Sequence, residues 1–211
     1  EDCDRILDEQ LTRLQTDHID VYLLHGMNGY AGSWPKLRDL GVLDWAEGAI
    51  ADGRIGCLGF SFHDTYDVFV EIVDAYDKWA MCQIQYNYMD VDRQAEMRGL
   101  KYAANRGMAV VIMEPLLGGK LADAPAEVQT IWDSASTTRT PVEWSLQWLW
   151  DQPEVSVVLS GMNELKHLME NIASAETSGL RPLSLEEQKL VAQARETYRS
   201  FSSVPCTQCR Y

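Results

Sequence analysis

Positive charge is scarce in this 211-residue sequence. Its 18 lysines and arginines face 32 aspartates and glutamates, which gives a formal net charge of −14. A field of that sign repels polyanions, so we expect no nucleic-acid partner and no acidic membrane surface as a partner. Apolar runs approaching the roughly 20 residues needed to cross a bilayer are also absent. The composition predicts a soluble globular chain with a sizeable core.

Cysteine is too sparse and too irregularly spaced for a disulfide framework. Cys57 and Cys82 lie in apolar runs that predict buried thiols, and Cys206 and Cys209 form a Cys-x-x-Cys pair. An odd count of five with scattered spacing favours a reducing compartment, so we expect a cytoplasmic protein. The charged start, residues 1–5, lacks an initiator methionine and resembles neither a signal peptide nor a natural beginning.

Two hydrophobic periods alternate along the chain. Apolar segments of strand length predict strands over 19–25, 55–60, 81–86, 108–113 and 155–159. Stretches of helical period predict helices over 5–15, 35–52, 65–77, 91–105, 124–151, 164–175 and 185–201, the last with a capping box formed by Ser184 and Glu187. Near-continuous apolar strands joined by helices must be covered on both faces. They therefore predict a parallel sheet with crossover helices.

Two α/β architectures fit this alternation, an open doubly wound sheet and a (β/α) barrel. The first predicted strand is followed by Gly26-Met27-Asn28-Gly29 and not by Gly-x-Gly-x-x-Gly, and the Walker pattern is absent as well. A barrel has eight strands and about 250 residues. The barrel interpretation therefore expects three strand–helix units outside this sequence.

Residues that act on ligands in parallel α/β folds lie at the C-terminal ends of the strands. That rule selects His25 and the segments 61–64, 83–87, 114–120 and 160–163. A neutral imidazole at His25 could donate a hydrogen bond to a substrate carbonyl, or it could be a satisfied structural histidine.

The other selected positions also have two interpretations each. Ser61 could bind a ligand amide or cap the next helix. Gln83, which points away from the face of Ile84, could bond a cofactor or a neighbouring backbone group. The segment 115–119 could bring backbone amides to a phosphate or form only turns.

Taken together, these segments resemble the aldo-keto reductase family. The motifs that carry the resemblance are Ile19–Gly26, Gly53–Ser61, Gln83–Asn87, Glu114–Gly119 and Gly161–Asn171. Their order and spacing are similar to that family's barrel from its fourth strand to its eighth, over residues 1–198. The resemblance implies an incomplete (β/α)8 TIM barrel of aldo-keto reductase type, with about five of the eight units present.

This resemblance implies an NAD(P)H-dependent oxidoreductase that transfers hydride between nicotinamide and a small-molecule carbonyl or alcohol. In that family a tyrosine, supported by a lysine and an aspartate, donates the proton, and a histidine orients the carbonyl. His25 matches the histidine. No position matches the tyrosine, lysine or aspartate, so we expect residues 1–211 alone to be inactive.

The cofactor contacts of the family carry over to five places in this sequence. The resemblance places Ser61 and Gln83 on the nicotinamide carboxamide and Met113 where a stacking tyrosine is usual. It places Leu116–Gly118 on the pyrophosphate and the pair Glu170–Asn171 near the adenine. The implied cofactor is NADP or NAD.

Three departures from the family pattern are visible. Phe62 replaces the usual asparagine beside the serine. Met113 offers a polarisable thioether where the family has a ring. Lys166 is the one clearly basic residue in the stretch that would hold a 2′-phosphate, so the choice between NADP and NAD stays open.

The tail, together with Ser61-Phe62-His63-Asp64, resembles a branch that joins the barrel to a C-terminal iron–sulfur segment. Cys206 and Cys209 match the first two cysteines of the Cys-x₂-Cys-x₂-Cys-x₃-Cys-Pro pattern that holds a 4Fe-4S cluster. We predict that residues 199–211 begin such a ferredoxin-type segment, which also implies an electron-transfer partner. A zinc half-site and a redox dithiol are the alternatives.

Two other functions stay open. The chain could be a non-catalytic nicotinamide-binding sensor or regulatory subunit, or an open-sheet α/β protein of unrelated function. Exchange of His25 separates enzyme from sensor. Stable folding of the isolated chain would favour the open sheet, because an incomplete barrel leaves exposed strand edges.

Overall fold

The computed structural model describes residues 2–29, 33–179 and 183–201. These form a five-stranded sheet in the order β1-β2-β3-β4-β5. Strands β1 to β4 pair in parallel. The strands are β1 (Ile19–Met27), β2 (Ile55–Phe62), β3 (Met81–Gln85), β4 (Ala109–Met113) and β5 (Val157–Val158). The predicted α/β fold with a parallel sheet is confirmed.

Helices connect the strands, as crossover connections between parallel strands require. In chain order they are α1 (Asp2–Leu14), α2 (Trp34–Asp39), α3 (Val42–Ala51), α4 (Tyr66–Asp74), α5 (Glu96–Asn105), α6 (Ala126–Asp133), α7 (Pro141–Trp150), α8 (Leu165–Glu176) and α9 (Leu185–Ser200).

The chain divides into two compact units. The first unit runs to Tyr86 and adds Asp92–Met113 and Glu154–Val157. The second unit consists of Asn87–Val91, Glu114–Pro153 and the chain from Val158 onward.

Aromatic residues form the centre of the first unit, between β2 and α4. Phe60 and Phe62 are fully buried, and Phe62 packs edge-on against Phe69 with ring centroids 5.1 Å apart. Trp79 packs against Phe60 at 4.8 Å. Edge-to-face aromatic pairs add about 0.5–1.5 kcal/mol each beyond their buried area, so this cluster fixes β2 firmly beneath its helix.

The second unit is built around indole rings and a capped helix. Trp132 and Trp144 stack with centroids 4.9 Å apart. The predicted capping box is confirmed: Ser184 Oγ accepts from the Glu187 amide at 3.2 Å, and Glu187 Oε2 accepts from the Ser184 amide at 2.9 Å.

Two of the predicted helical segments each contain two helices. The segment 35–52 is divided into α2 and α3, because Gly41 adopts the left-handed conformation (φ +71°) between them. The segment 124–151 is divided into α6 and α7. The second of these starts afresh at the N-cap Thr140, whose hydroxyl accepts from the Glu143 amide at 3.1 Å.

Three smaller predictions are corrected as well. Helix α5 begins only at Glu96, because Gln94 before it adopts a positive φ of 55°. Strand β5 has two residues rather than five. Cys82 is buried as predicted, and burial raises the pKa of its thiol to about 12. Cys57 is only half-buried, because it lies opposite Val21, which is 42% exposed.

The close approach of β1 and β2 depends on Gly56. A Cβ atom there would lie 2.5 Å from the Asp20 carbonyl oxygen, which belongs to the backbone and cannot rotate away. We expect Gly56→Ala to lower the free energy of unfolding by about 1–3 kcal/mol. Gly48→Ala in α3, where a Cβ meets nothing within 4 Å, is the control and should raise stability by about 0.5–1 kcal/mol. Urea unfolding of both variants measures this difference in stability. Equal unfolding midpoints for Gly56→Ala and Gly48→Ala would contradict the prediction.

Candidate functional site

His25 lies at the C-terminal end of β1 and is exposed, whereas Leu24 and Met27 on either side are buried. The regular pairing of β1 with β2 is interrupted there. Leu24 lies opposite Phe60 and Met27 opposite Phe62, so two residues of β1 face the single residue Ser61. This two-against-one count is a β-bulge, a feature that commonly redirects a side chain at a functional site. Within the described parts of the chain, the imidazole makes no hydrogen bond.

Ser61 is 1% exposed and lies opposite the bulge. Its hydroxyl oxygen accepts the Gly26 amide at 2.8 Å. The expectation that Ser61 caps the next helix is wrong, because α4 begins at Tyr66 with Thr65 as its N-cap. The hydroxyl proton is not used in the Gly26 bond and remains a donor.

The residues that follow Ser61 have structural partners. Phe62 is fully buried against Phe69, so its ring belongs to the core. Asp64 accepts the Gly29 amide at 2.9 Å and the Thr65 amide at 2.7 Å. The carboxylate therefore ties the loop after β1 to the loop after β2.

Gln83 and Met113 lie on neighbouring strands of the first unit and contact each other. Gln83 shares a half-buried face with Gln85, opposite the buried Cys82 and Ile84, as the alternation predicted. Its Nε2 donates to the Met113 sulfur at 3.5 Å. A thioether is a weak acceptor, so the Gln83 amide is only lightly held in place.

The loop after β4, in the second unit, has an unusual run of left-handed residues. Glu114, Leu117, Gly118 and Gly119 have φ of 58°, 50°, 63° and 86°. The Asn87 side chain, which is fully buried, donates to the Glu114 carbonyl at 3.0 Å and supports the turn. The Leu117 amide is bonded back to the Glu114 carbonyl at 3.1 Å.

This loop presents backbone donors. The amides of Leu116, Gly118 and Gly119 donate to no other group in the part of the chain that the structure describes. Unpaired amides in consecutive left-handed residues form concavities that suit anions. Gly118 and Gly119 have no Cβ atom, which leaves their backbone accessible.

Glu170 and Asn171 are half-buried on α8 in the second unit. The Asn171 amide donates to Ser160 Oγ at 2.9 Å, which joins the helix to the segment after β5. Lys166, one turn earlier, is exposed.

Cys206 and Cys209 lie outside the described residues. Over residues 2–29, 33–179 and 183–201 there is no group of three histidine, cysteine, aspartate or glutamate side chains that could hold a metal ion. In the same ranges no helix is both long and apolar enough to cross a membrane.

Two contributors to the site were missed by sequence reasoning. Asn87 was selected only as part of a strand end, and its role beneath Glu114 depends on a contact across 27 positions. Ser33 was not singled out at all. In the structure Ser33 is the N-cap residue of α2, but its hydroxyl bonds to the loop at Gly26 and Asn28 and not to the helix.

A parallel α/β sheet with polar residues at its C-terminal strand ends defines the class of this protein. The sequence profile of the Aldo/keto reductase family matches residues 1–191, and the chain belongs to that family. It is similar to two Bacillus subtilis proteins. A glyoxal reductase is 27% identical over 143 residues, and an uncharacterised oxidoreductase, YrpG, is 29% identical over 119. The chain spans 47% and 35% of their respective lengths.

Solved aldo-keto reductases share this fold. The holo form of the Bacillus halodurans enzyme has a TM-score of 0.72 at 22% identity, covering 90% of this chain and 63% of that one. A Klebsiella pneumoniae enzyme, solved in complex with NADPH, has a TM-score of 0.68 at 23% identity and covers 99% of this chain and 67% of that one. The fold is therefore that of aldo-keto reductase barrels, of which five strands are described in this chain.

Proposed function

We propose that this chain carries the nicotinamide-nucleotide contacts and the carbonyl-orienting histidine of an NAD(P)H-dependent oxidoreductase acting on a small carbonyl or alcohol. The observation that carries the proposal is the exposed His25 on a bulge at the C-terminal end of β1, with Ser61 on the adjoining strand. Membership of the family supports it, as does the oxidoreductase naming of both Bacillus subtilis relatives.

The residues of the first unit fit the nicotinamide end of such a cofactor. Among the described residues, the side-chain amide of Gln83 has only the Met113 thioether as a partner, and the Ser61 hydroxyl retains a proton to donate. Both groups can therefore bond a carboxamide without giving up a strong existing bond. Met113 supplies a polarisable, adaptable surface for the ring. When bound, the cofactor supplies the hydride.

The residues of the second unit fit its charged end. Within Leu116–Gly118, the amides of Leu116 and Gly118 bond to no other group among the described residues, and the turn is left-handed from Leu117 onward, which suits pyrophosphate. Glu170 and Asn171 on α8 supply polar groups for the adenosine portion, and Lys166 supplies positive charge. These assignments follow the family resemblance residue by residue.

His25 would act on the substrate oxygen. Its exposed ring has no competing bond among the described residues, so a neutral imidazole can donate an N–H to the carbonyl. Such a bond polarises the carbonyl and fixes its orientation.

From the sequence pattern alone, we also propose that residues 199–211 begin an iron–sulfur segment. Cys206 and Cys209 would be two of the four thiolate ligands of a 4Fe-4S cluster. An electron-transfer partner and a reducing, cytoplasmic location accompany this proposal. No step of the carbonyl chemistry is derived through the cluster.

Titration of the 211-residue chain with NADPH and with NADH, followed by nicotinamide fluorescence, tests cofactor binding. We expect saturable binding, and we expect Gln83→Leu to weaken it about 5- to 10-fold, the loss of one hydrogen-bonding side chain. Gln129→Leu on α6, whose amide bonds to Asp133 at 2.7 Å, is the matched control. Absence of saturable binding of either nucleotide would refute the proposal.

Exchange of His25 tests the catalytic part. In the natural protein that carries this sequence, His25→Ala should lower carbonyl reduction about 100-fold or more, while nucleotide affinity stays within about twofold. Retained binding without any effect on turnover would instead identify a nicotinamide-binding sensor.

A further inference from the structure

We propose that Ser61 and Ser33 position His25 by holding the backbone of Gly26, Ser61 at its amide and Ser33 at its carbonyl. This inference rests on the proposed role of His25. We use the name Gly26 clasp for the side chains of Ser61, Ser33 and Asn28 that bond to Gly26.

The bulge creates the need for the clasp. Gly26 has a φ of +67°, in the left-handed region, and the strand ladder is interrupted between Leu24 and Met27. A residue in a bulge loses its ladder partner, and a buried amide without a partner costs about 1–3 kcal/mol. Ser61 Oγ replaces that partner by accepting the Gly26 amide at 2.8 Å.

The carbonyl of Gly26 is held from the opposite side. Ser33 Oγ lies 3.1 Å from this carbonyl oxygen and 3.1 Å from that of Asn28, and the two acceptors share its single proton. Asn28 Nδ2 donates to the Gly26 carbonyl at 3.2 Å. Ser33 Oγ also accepts the Asn28 amide at 2.8 Å, so it closes the loop upon itself. Ser61 thus holds the His25–Gly26 peptide group, and Ser33 and Asn28 hold the Gly26–Met27 peptide group, so the backbone on both sides of Gly26 is fixed in direction.

The clasp has a consequence for His25 because a bulge decides which way the side chain points. With Leu24 and Met27 both buried and lying opposite Phe60 and Phe62, the ring of His25 is left on the exposed side. Loss of the clasp frees the Gly26 peptide to rotate and lets the strand return toward regular pairing. His25 would then lose its defined orientation.

Nuclear magnetic resonance of the 211-residue chain tests the clasp. We expect Ser61→Ala and Ser33→Ala each to speed hydrogen exchange of the Gly26 amide about tenfold and to shift the His25 ring signals. Ser61→Thr keeps the hydroxyl, so it should show the slow Gly26 exchange and the His25 ring signals of the unsubstituted chain. The chain has four histidines, so His18 and His167 provide internal references.

Ser156→Ala is the matched control, because Ser156 Oγ accepts a strand amide, that of Val110, at 3.1 Å in the same way. It should leave the His25 signals unchanged. Ser33 has no place among the proposed cofactor contacts, so Ser33→Ala separates positioning from binding.

The possible results distinguish the two proposals. Faster Gly26 exchange with unmoved His25 ring signals would overturn the clasp as a positioning device, whatever the cofactor does. Failure of the unsubstituted chain to bind NADPH or NADH would refute the proposed function, while the ring signals of the serine variants would still decide whether the clasp orients His25.

Discussion

Replacement of Arg139 by alanine is expected to lower the free energy of unfolding by about 3–5 kcal/mol. Arg139 pairs with Glu187 through Nη1 and Oε1, and their side chains are only 6% and 9% exposed. The guanidinium also lies 4.6 Å above the centre of the Trp144 ring. Without Arg139, the buried carboxylate of Glu187 keeps Ser184 as its one partner among the described residues. An unpaired buried charge of this kind is strongly destabilising.

The effect should depend on pH. Burial acts to raise the pKa of Glu187, but the hydrogen bonds from Arg139 and Ser184 outweigh it and hold the pKa below its ordinary value. A lowered folded-state pKa contributes stability above the unfolded pKa, and that contribution is lost as pH falls through the folded value. In Arg139→Ala the hydrogen bond from Arg139, which lowers the pKa of Glu187, is lost, so the effect of burial, which raises this pKa, becomes dominant. The difference in the free energy of unfolding between the unsubstituted protein and Arg139→Ala should therefore become smaller as the pH is lowered.

Urea unfolding at neutral and acidic pH measures both effects. Arg5→Ala is the control, because Arg5 and Glu9 form a 2.8 Å ion pair on α1 whose side chains are 59% and 51% exposed. Exposed pairs of this spacing contribute about 0.3–0.5 kcal/mol. A loss in Arg139→Ala no larger than in Arg5→Ala would show that the pair is solvated.

Local patterns in the sequence predicted those parts of the fold that local bonds determine. The capping box of Ser184 and Glu187 was predicted correctly, because both of its bonds join residues three positions apart. The first four strands were predicted to within a few residues, because each contains an apolar segment whose residues contribute to the buried core. The start of α5 was not, because Gln94 adopts a left-handed backbone conformation and its side chain bonds to Gln85, nine positions earlier on β3.

In the candidate site too, local patterns were predicted from the sequence and contacts between distant residues were not. The rule about C-terminal strand ends selected His25, Ser61 and Gln83 without any structural knowledge. It did not show that the Ser61 hydroxyl is bonded to Gly26, 35 positions earlier in the chain. The two interpretations considered for Ser61, a ligand contact and a helix cap, do not include that bond. The bulge in β1 leaves the Gly26 amide without a strand partner, and Ser61 on β2 accepts it.

The loop after β4 gives the second large expected effect: Gly118→Asp should weaken binding of NADPH and NADH about 100-fold or more. Gly118 has a φ of +63°, and its amide bonds to no other group among the described residues. A Cβ atom there would lie 3.8 Å from Glu114 Oε2 and would meet no other described atom within 4 Å. A carboxylate there would stand within a few ångströms of the proposed pyrophosphate. Two like charges at about 6 Å in a partly solvated site cost enough to produce that loss.

Gly179→Asp is the matched control for this substitution. Gly179 also has a left-handed φ, +71°, is exposed, and would place a Cβ where nothing lies within 4 Å. Both variants carry the same added charge and the same backbone strain of about 1 kcal/mol, so any difference between them comes from the site itself. Isothermal titration with each nucleotide measures that difference. If Gly118→Asp and Gly179→Asp bind equally well, the loop after β4 does not hold the pyrophosphate.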